Sequence, residues 1–211
     1  MASPVDICNL AIMRVGGQII SALTENTPAA IACNLQYDIA RKDLLRSHPW
    51  NFALKLAQLA QNVDPPLFGY DYSYSLPADC LRVLITKDQE ESYLDGLDSS
   101  FNGYITISNR VDYMLSDSYK IIGRNLYSDN GVVQIKYISD ITDTTQFDPS
   151  FVELLGVRLA MSIAYQITGS VQMRKDLADE FQYLLIQAQQ NNGQEGTRER
   201  IEVSSWLSSR G

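Results

Sequence analysis

Arg41-Lys42-Asp43-Leu44-Leu45-Arg46-Ser47-His48-Pro49-Trp50-Asn51-Phe52-Ala53 is the stretch that decides how this chain folds. Its first half carries an amphipathic helical pattern. Pro49 has no N–H to continue that helix, and its ring pushes His48 out of the α region, so the helix ends there. Beyond the proline, Trp50, Phe52, Leu54 and Leu56 recur at every second position, the period of an extended segment with one apolar face. The stretch predicts a rigid corner between a helical layer and a β layer, with His48, Pro49, Trp50 and Phe52 as its structural residues.

Toward the N-terminus, Ser3-Pro4-Val5-Asp6 reads as a helix start: a capping serine, proline at the first helical position and an acidic residue in the first turn. Val5, Cys8, Ile12 and Val15 share a face until Gly16-Gly17 ends the run. Thr27-Pro28 opens a second, longer helix reaching Ser47, with Ile31, Leu35 and Ile39 at steps of four as its expected apolar stripe. Two helices joined by so short a segment are expected to pack as an antiparallel hairpin.

Toward the C-terminus, Asn62-Val63-Asp64-Pro65-Pro66 breaks the first extended run, and the chain then alternates short apolar runs with Asp, Gly, Asn and Ser. Strands are expected at 80–85, 104–107, 119–122 and 132–138, with Gly123-Arg124-Asn125 and Ser128-Asp129-Asn130-Gly131 as turns and 87–103 as an acidic loop. Asp148-Pro149 starts a third helix by the same cap-then-proline device. Phe151, Leu155, Leu159, Ile163 and Ile167 follow at steps of four, and Leu154, Val157, Met161 and Ala164 make it apolar on further faces, the mark of a central helix. Gly169-Ser170 closes it and caps a fourth helix striped by Leu177, Phe181, Leu184 and Ala188. From Gln189 the chain becomes Gln- and Asn-rich, then glycine-containing and charged, and ends in Val203-Ser204-Ser205-Trp206-Leu207. This predicts an arm whose Val203, Trp206, Leu207 and Arg210 dock on a neighbour or fold back on the chain's own helices.

The resulting fold class is α+β. The expectation is a four-helix bundle built from N-terminal and C-terminal helix pairs, with an inserted antiparallel β lobe and an extended C-terminal arm. Its segments are 1–61 (helical hairpin plus first extended segment), 62–147 (β lobe), 148–190 (C-terminal helix pair) and 191–211 (arm).

At 211 residues, 45% apolar and 20% charged, the chain has length and composition for one well-buried core, or one core with an inserted lobe. Its formal charge of −8 sits in the middle: residues 62–150 hold 14 acidic and 6 basic side chains, whereas the flanks balance. Such a surface opposes tight nucleic-acid binding, which needs Lys and Arg to displace counterions. Three well-separated cysteines, Cys8, Cys33 and Cys80, fit neither a disulfide framework nor paired metal ligands and read as buried thiols. The apolar stretch 154–164 is interrupted by Arg158 and Ser162 and falls short of the roughly 20 residues a bilayer span needs. The N-terminus lacks a secretory pattern, so a cytoplasmic site of synthesis is expected.

Catalytic signals are weak. His48, the single histidine, precedes the corner proline and fits a turn-fixing role better than that of a triad base. Asp88-Gln89-Glu90-Glu91 reads as a solvated run, without the spacing of a metal site. A glycosidase pair would draw on Glu25, Glu90, Glu91 or Glu153, none in a recognisable motif. Gly16-Gly17 follows a helix, the reverse of a phosphate loop. Tyr70, Tyr72 and Tyr74 alternate as cross-strand packing residues do. No catalytic residue, metal or cofactor is expected.

A helix followed by Leu44-Leu45-Arg46-Ser47-His48-Pro49-Trp50-Asn51-Phe52-Ala53 resembles the tubular tail protein A family of short-tailed phages. Tyr74-Ser75-Leu76-Pro77-Ala78-Asp79-Cys80-Leu81-Arg82-Val83 is a second point of similarity. Phe147-Asp148-Pro149-Ser150-Phe151, with Leu159-Ala160 and Thr168-Gly169-Ser170, is a weaker third. The resemblance touches about two thirds of the chain and carries nothing between residues 87 and 119. It implies a structural head-to-tail adaptor and no enzyme. About twelve copies would form a ring below the portal protein, extend the DNA channel and dock a nozzle of the tubular tail protein B type, with tail fibres nearby in some relatives. Genomic DNA would pass through the lumen without specific binding, and the protein would reside at the head–tail junction of the virion after assembly in the host cytoplasm. The competing readings are a tail-associated peptidoglycan hydrolase and a monomeric cytoplasmic binding module.

Overall fold

The computed structural model describes residues 2–67, 69–86 and 119–195, which form a mixed α/β chain of four helices and two small antiparallel sheets. The expected loop at 87–103 and strand at 104–107 lie outside the described residues. So do Val203, Trp206, Leu207 and Arg210.

All four helix starts follow from local cap chemistry. At α1 (Pro4–Arg14) the Ser3 hydroxyl accepts from the Asp6 N–H at 3.2 Å, while the Asp6 carboxylate accepts from the Ser3 N–H at 2.8 Å. Those bonds, the backbone one first, hold the Asp6 carboxyl below its ordinary value. Thr27 caps α2 (Pro28–Ser47) and Asp148 caps α3 (Pro149–Thr168), each followed by proline at the first helical position. Gly169 ends α3 at φ +66°, and Ser170 accepts from the Met173 N–H at 3.2 Å to start α4 (Val171–Glu195). The fourth helix thus passes the expected boundary at 190 and continues through the Gln/Asn-rich segment.

Helix α3 is the centre of the helical layer. Phe151, Leu154, Leu155, Val157, Leu159, Ala160, Ile163 and Ala164 are buried, and α3 packs against each of the other three helices. At Gly156 a Cβ would stand 3.4 Å from the Leu10 side chain, so the missing side chain lets α1 approach closely. Arg14 ties the layer together at its edge, pairing with Glu153 of α3 at 3.1 Å and Glu180 of α4 at 3.3 Å. At 20 residues and a mean hydropathy of 1.2, α3 is long and apolar enough to cross a membrane, a length the interrupted apolar stretch did not suggest. Its apolar side chains are instead spent on the other three helices, as in a core helix.

Two expectations for the N-terminal helices are corrected. Helices α1 and α2 each pack mainly on α3, with little contact between them, because the all-round apolar α3 offers each more surface than the other does. And the Ile31, Leu35 and Ile39 stripe of α2 faces solvent, 47%, 65% and 61% exposed. The face turned inward is Ala30, Cys33, Tyr37, Ala40, Arg41, Leu44 and Leu45, where small residues permit close approach.

The first sheet has the order β1-β6-β3, with β1 at Leu54–Gln58, β6 at Gln134–Ser139 and β3 at Cys80–Thr86. Leu54 faces Ile138 across β1 and β6, and Val83 faces Tyr137 across β3 and β6. The second sheet has the order β2-β5-β4, from Tyr72–Ser75, Asn125–Ser128 and Tyr119–Ile122. Strand β5 was not expected and sits between the two expected turns: Gly123 at φ +64° turns the chain, Asn125–Ser128 pairs with both neighbours, and the chain bends again at Asp129 and Gly131. Tyr74, Leu126, Ile135, Tyr137 and Val133 from both sheets share a second core. Ile138, one residue beyond Tyr137, enters the helical core instead, so β6 belongs to both. Strand β1, placed by sequence with the helices, pairs with β6 across the expected boundary at 62.

The corner is also more tightly wound than expected. Asn51–Ala53 forms a single 3₁₀ turn, the strand begins only at Leu54, and Leu56 is 80% exposed. Trp50, Phe52, Leu54 and Leu56 therefore do not share one strand face. The buried anchor is Trp50, because a 3₁₀ turn after Pro49 points it back at the helices.

Candidate functional site

The corner is built from the backbone outward. His48 is extended at φ −143° and ψ 146°, as a residue before proline must be. Trp50 folds back beneath α2, where its indole N–H donates to the Leu44 carbonyl at 3.0 Å, an acceptor that the helix end leaves available. Its ring meets Phe151 edge-on at 5.2 Å and stacks on Phe52 at 6.3 Å; Phe52 and Phe147 both abut Phe151 at 5.0 Å. An aromatic cluster thus fixes the corner on the first turn of α3.

Asn192 of α4 closes the corner from the other side. Its side-chain oxygen accepts from the Asn51 N–H at 2.8 Å, and its main-chain carbonyl accepts from the Asn51 amide at 2.7 Å. Because Oδ1 must face that N–H, the Asn192 NH₂ faces the Pro49 carbonyl and His48 Nε2, each at 3.2 Å. His48 Nε2 therefore acts as acceptor, which requires a neutral ring carrying its proton on Nδ1. Burial depresses the His48 pKa in the same sense. The two ends of the helical layer meet here, three residues before Glu195, where α4 ends.

The outer face of α2 is the second element. Ile31, Leu35 and Ile39 form a continuous aliphatic line, rimmed by Asp38, Lys42 and Arg46. On the opposite side of the same helix Arg41 is buried, reaching the Asp140 carboxylate, the Ile141 carbonyl and Asp38. Lys42 also reaches Asp140, at 3.4 Å. This cluster clamps α2 to the end of β6. Sequence reasoning missed Arg41, although its place between Tyr37 and Leu45 on the inward face was a usable signal.

The β layer adds a polar anchor and an exposed loop. Asp79 pairs with Lys55 at 2.7 Å and accepts from the Tyr137 hydroxyl at 3.2 Å. Lys55 chiefly holds the Asp79 carboxyl below its usual range, while burial and that neighbouring charge push the Tyr137 phenol up to about 12. Val63 and Leu67 project from the β1–β2 connection almost fully exposed, beside an open depression of 650 Å³ lined by Asn62, Asp64, Pro65, Ser73 and Tyr127. Tyr72 and Tyr74 lie on β2 and Tyr70 packs on Tyr127, the cross-strand role their alternation suggests.

Among the described residues, the two candidate glycosidase carboxylates are each engaged by other partners. Glu25 accepts from the N–H groups of Ser21 and Ala22 in its own loop, and Glu153 is engaged by Arg14. Glu90 and Glu91 lie outside the described residues. Among the described residues no three His, Cys, Asp or Glu side chains cluster as metal ligands. Cys8, Cys33 and Cys80 are buried free thiols. Cys8 and Cys33 face each other between α1 and α2, and that contact, then burial, raises the Cys8 pKa.

No protein-family model and no curated protein matches this chain.

Proposed function

We propose that this protein is a structural head-to-tail adaptor of a short-tailed phage, assembling as a ring of about twelve copies beneath the portal. The observation that carries the reading is the outward aliphatic line Ile31, Leu35 and Ile39 on an otherwise well-packed helix. Three half-exposed branched side chains at steps of four suit a protein–protein contact. The three segments that resemble the tubular tail protein A family support the same conclusion. They coincide with structural joints: the Pro49 corner, the β2–β3 connection and the capped start of α3.

On this reading the four helices form one bundle gathered around α3, and the β layer is an inserted lobe. The acidic balance of residues 62–150 lets DNA slide past the lobe without sticking, since like charge repels phosphates. The portal binds on one side of the ring and the nozzle on the other, and the C-terminal arm links neighbouring copies. The protein then resides at the head–tail junction of the virion.

The test is the mass of the purified protein by light scattering, alone and with portal rings from the same phage. Binding of about twelve chains per portal supports the adaptor. A chain that stays monomeric and leaves the portal mass unchanged overturns it.

A further inference from the structure

We infer that the Ile31, Leu35 and Ile39 line on α2 of one copy is the receptor for Val203, Trp206 and Leu207 of the neighbouring copy's C-terminal arm. The inference rests on the ring reading and names the surfaces that close it.

The line is open toward a neighbour. At 3.6 residues per turn it sits roughly 180° around α2 from Cys33, Tyr37 and Leu44, which face the core. It points directly away from the helices of its own subunit. Its rim carries both signs of charge, in Asp38, Lys42, Asp43 and Arg46. The arm does too, in Arg198, Glu199, Arg200, Glu202 and Arg210, so neither surface repels the other.

The arm starts in a suitable place. Asn192 is pinned to Asn51 and Pro49 at the C-terminal end of α2, three residues before Glu195. Trp206 lies eleven residues beyond Glu195, a reach of up to roughly 36–40 Å of extended chain. To reach its own α2 line, the arm would travel along the helix and then wrap half-way around a cylinder about 10–12 Å across. That path takes up much of the arm's reach, and the same exposed line is present on every copy. A ring requires a heterologous contact of this kind, one surface of each subunit against a different surface of the next.

The chemistry also matches. Trp50 is already buried in the corner, which leaves Trp206, the second of two tryptophans, to anchor another contact. Branched aliphatic side chains spaced one helical turn apart leave grooves that accept an indole and its aliphatic neighbours.

The experiment mixes Leu35→Cys chains with Trp206→Cys chains, assembles them on portal rings and oxidises with copper phenanthroline. The native cysteines are buried. The expected result is a disulfide-linked dimer in the mixture and none with either variant alone. A Leu35→Asp variant, altered only on the outward face, should keep its melting temperature and lose ring assembly at least tenfold in concentration dependence. A double variant that cross-links only within one chain at high dilution would overturn the inference in favour of a folded-back arm. Light scattering on the same samples separates the two claims. Complete rings without a cross-link overturn this inference and leave the adaptor standing, whereas absence of both rings and cross-link overturns both.

Discussion

Asn192 and Asn51 hold each other by two hydrogen bonds, at 2.8 and 2.7 Å, one through each residue's backbone. One sits near the end of the last helix and the other just past the Pro49 corner, so the pair joins the far ends of the helical layer. The same Asn192 amide reaches the Pro49 carbonyl and His48.

Replacing Asn192 by alanine removes these side-chain bonds but leaves the carbonyl. A loss of about 1–2 kcal/mol is expected, since the bonds are partly exposed. Fraying of the last turn of α4 should accompany it, visible as faster amide exchange after Ala188 and at Asn51.

The contact between Asn192 and His48 makes the corner sensitive to acid. The folded state holds His48 neutral, with its pKa below the free value of 6.5, so the unfolded chain binds the extra proton first. Stability from this group is complete above 6.5 and falls as the pH drops from there through the folded pKa. Asp79 acts in a lower window: its folded pKa is depressed below 3.8, so its contribution is lost as the pH falls through that value and beyond. Urea titrations at a series of pH values should show a slope just below 6.5 that His48→Gln flattens, with the slope near 3.8 unchanged.

Arg41 is a buried cation that ties α2 to the partly exposed Asp140 and the buried Ile141 carbonyl. Arg41→Ala leaves Asp140 and the Ile141 carbonyl without their main donor and should cost about 3–5 kcal/mol by denaturant unfolding. Arg41→Met should cost less because it fills the space that Arg41→Ala empties; Lys42 still reaches Asp140 in both variants.

Trp50 offers a graded test of the corner. Trp50→Ala empties the space against Phe151 and Phe52 and should cost about 3–5 kcal/mol. Trp50→Phe keeps most of the ring contact and loses the bond to Leu44, whose carbonyl still accepts from the Ser47 hydroxyl at 2.7 Å. A cost of about 1–2 kcal/mol is expected there.

What the sequence made legible was local chemistry. The three cap-then-proline starts at Ser3-Pro4, Thr27-Pro28 and Asp148-Pro149 place three helices, and the apolar positions of α3 mark it as central. The errors arose where two local readings compete and tertiary contacts choose between them. Helix α2 has two apolar faces, and the larger aliphatic one lies outside because Ala30, Cys33 and Ala40 let the smaller face approach α3. Strand Asn125–Ser128 is easily passed over because only Leu126 and Tyr127 lie between two turn segments, and one of its pairing partners, Tyr72–Ser75, comes from far along the chain. The last turns of α4 look like an unstructured arm until Asn192 is seen bound to the corner. Periodicity marked the Ile31, Leu35 and Ile39 line on α2 but placed it inside, whereas it is exposed.

Truncation after Glu195 separates stability from assembly. The corner contacts of Asn192 remain, so the melting temperature should change little, whereas ring formation should weaken strongly. A marked fall in melting temperature would mean that the arm packs on its own subunit.

The most direct measurement is electron microscopy of portal rings mixed with this protein, read as class averages along and across the channel axis. The adaptor account predicts a second ring coaxial with the portal, of about twelve subunits and continuous with its channel. Bare portals beside unattached monomers would contradict it.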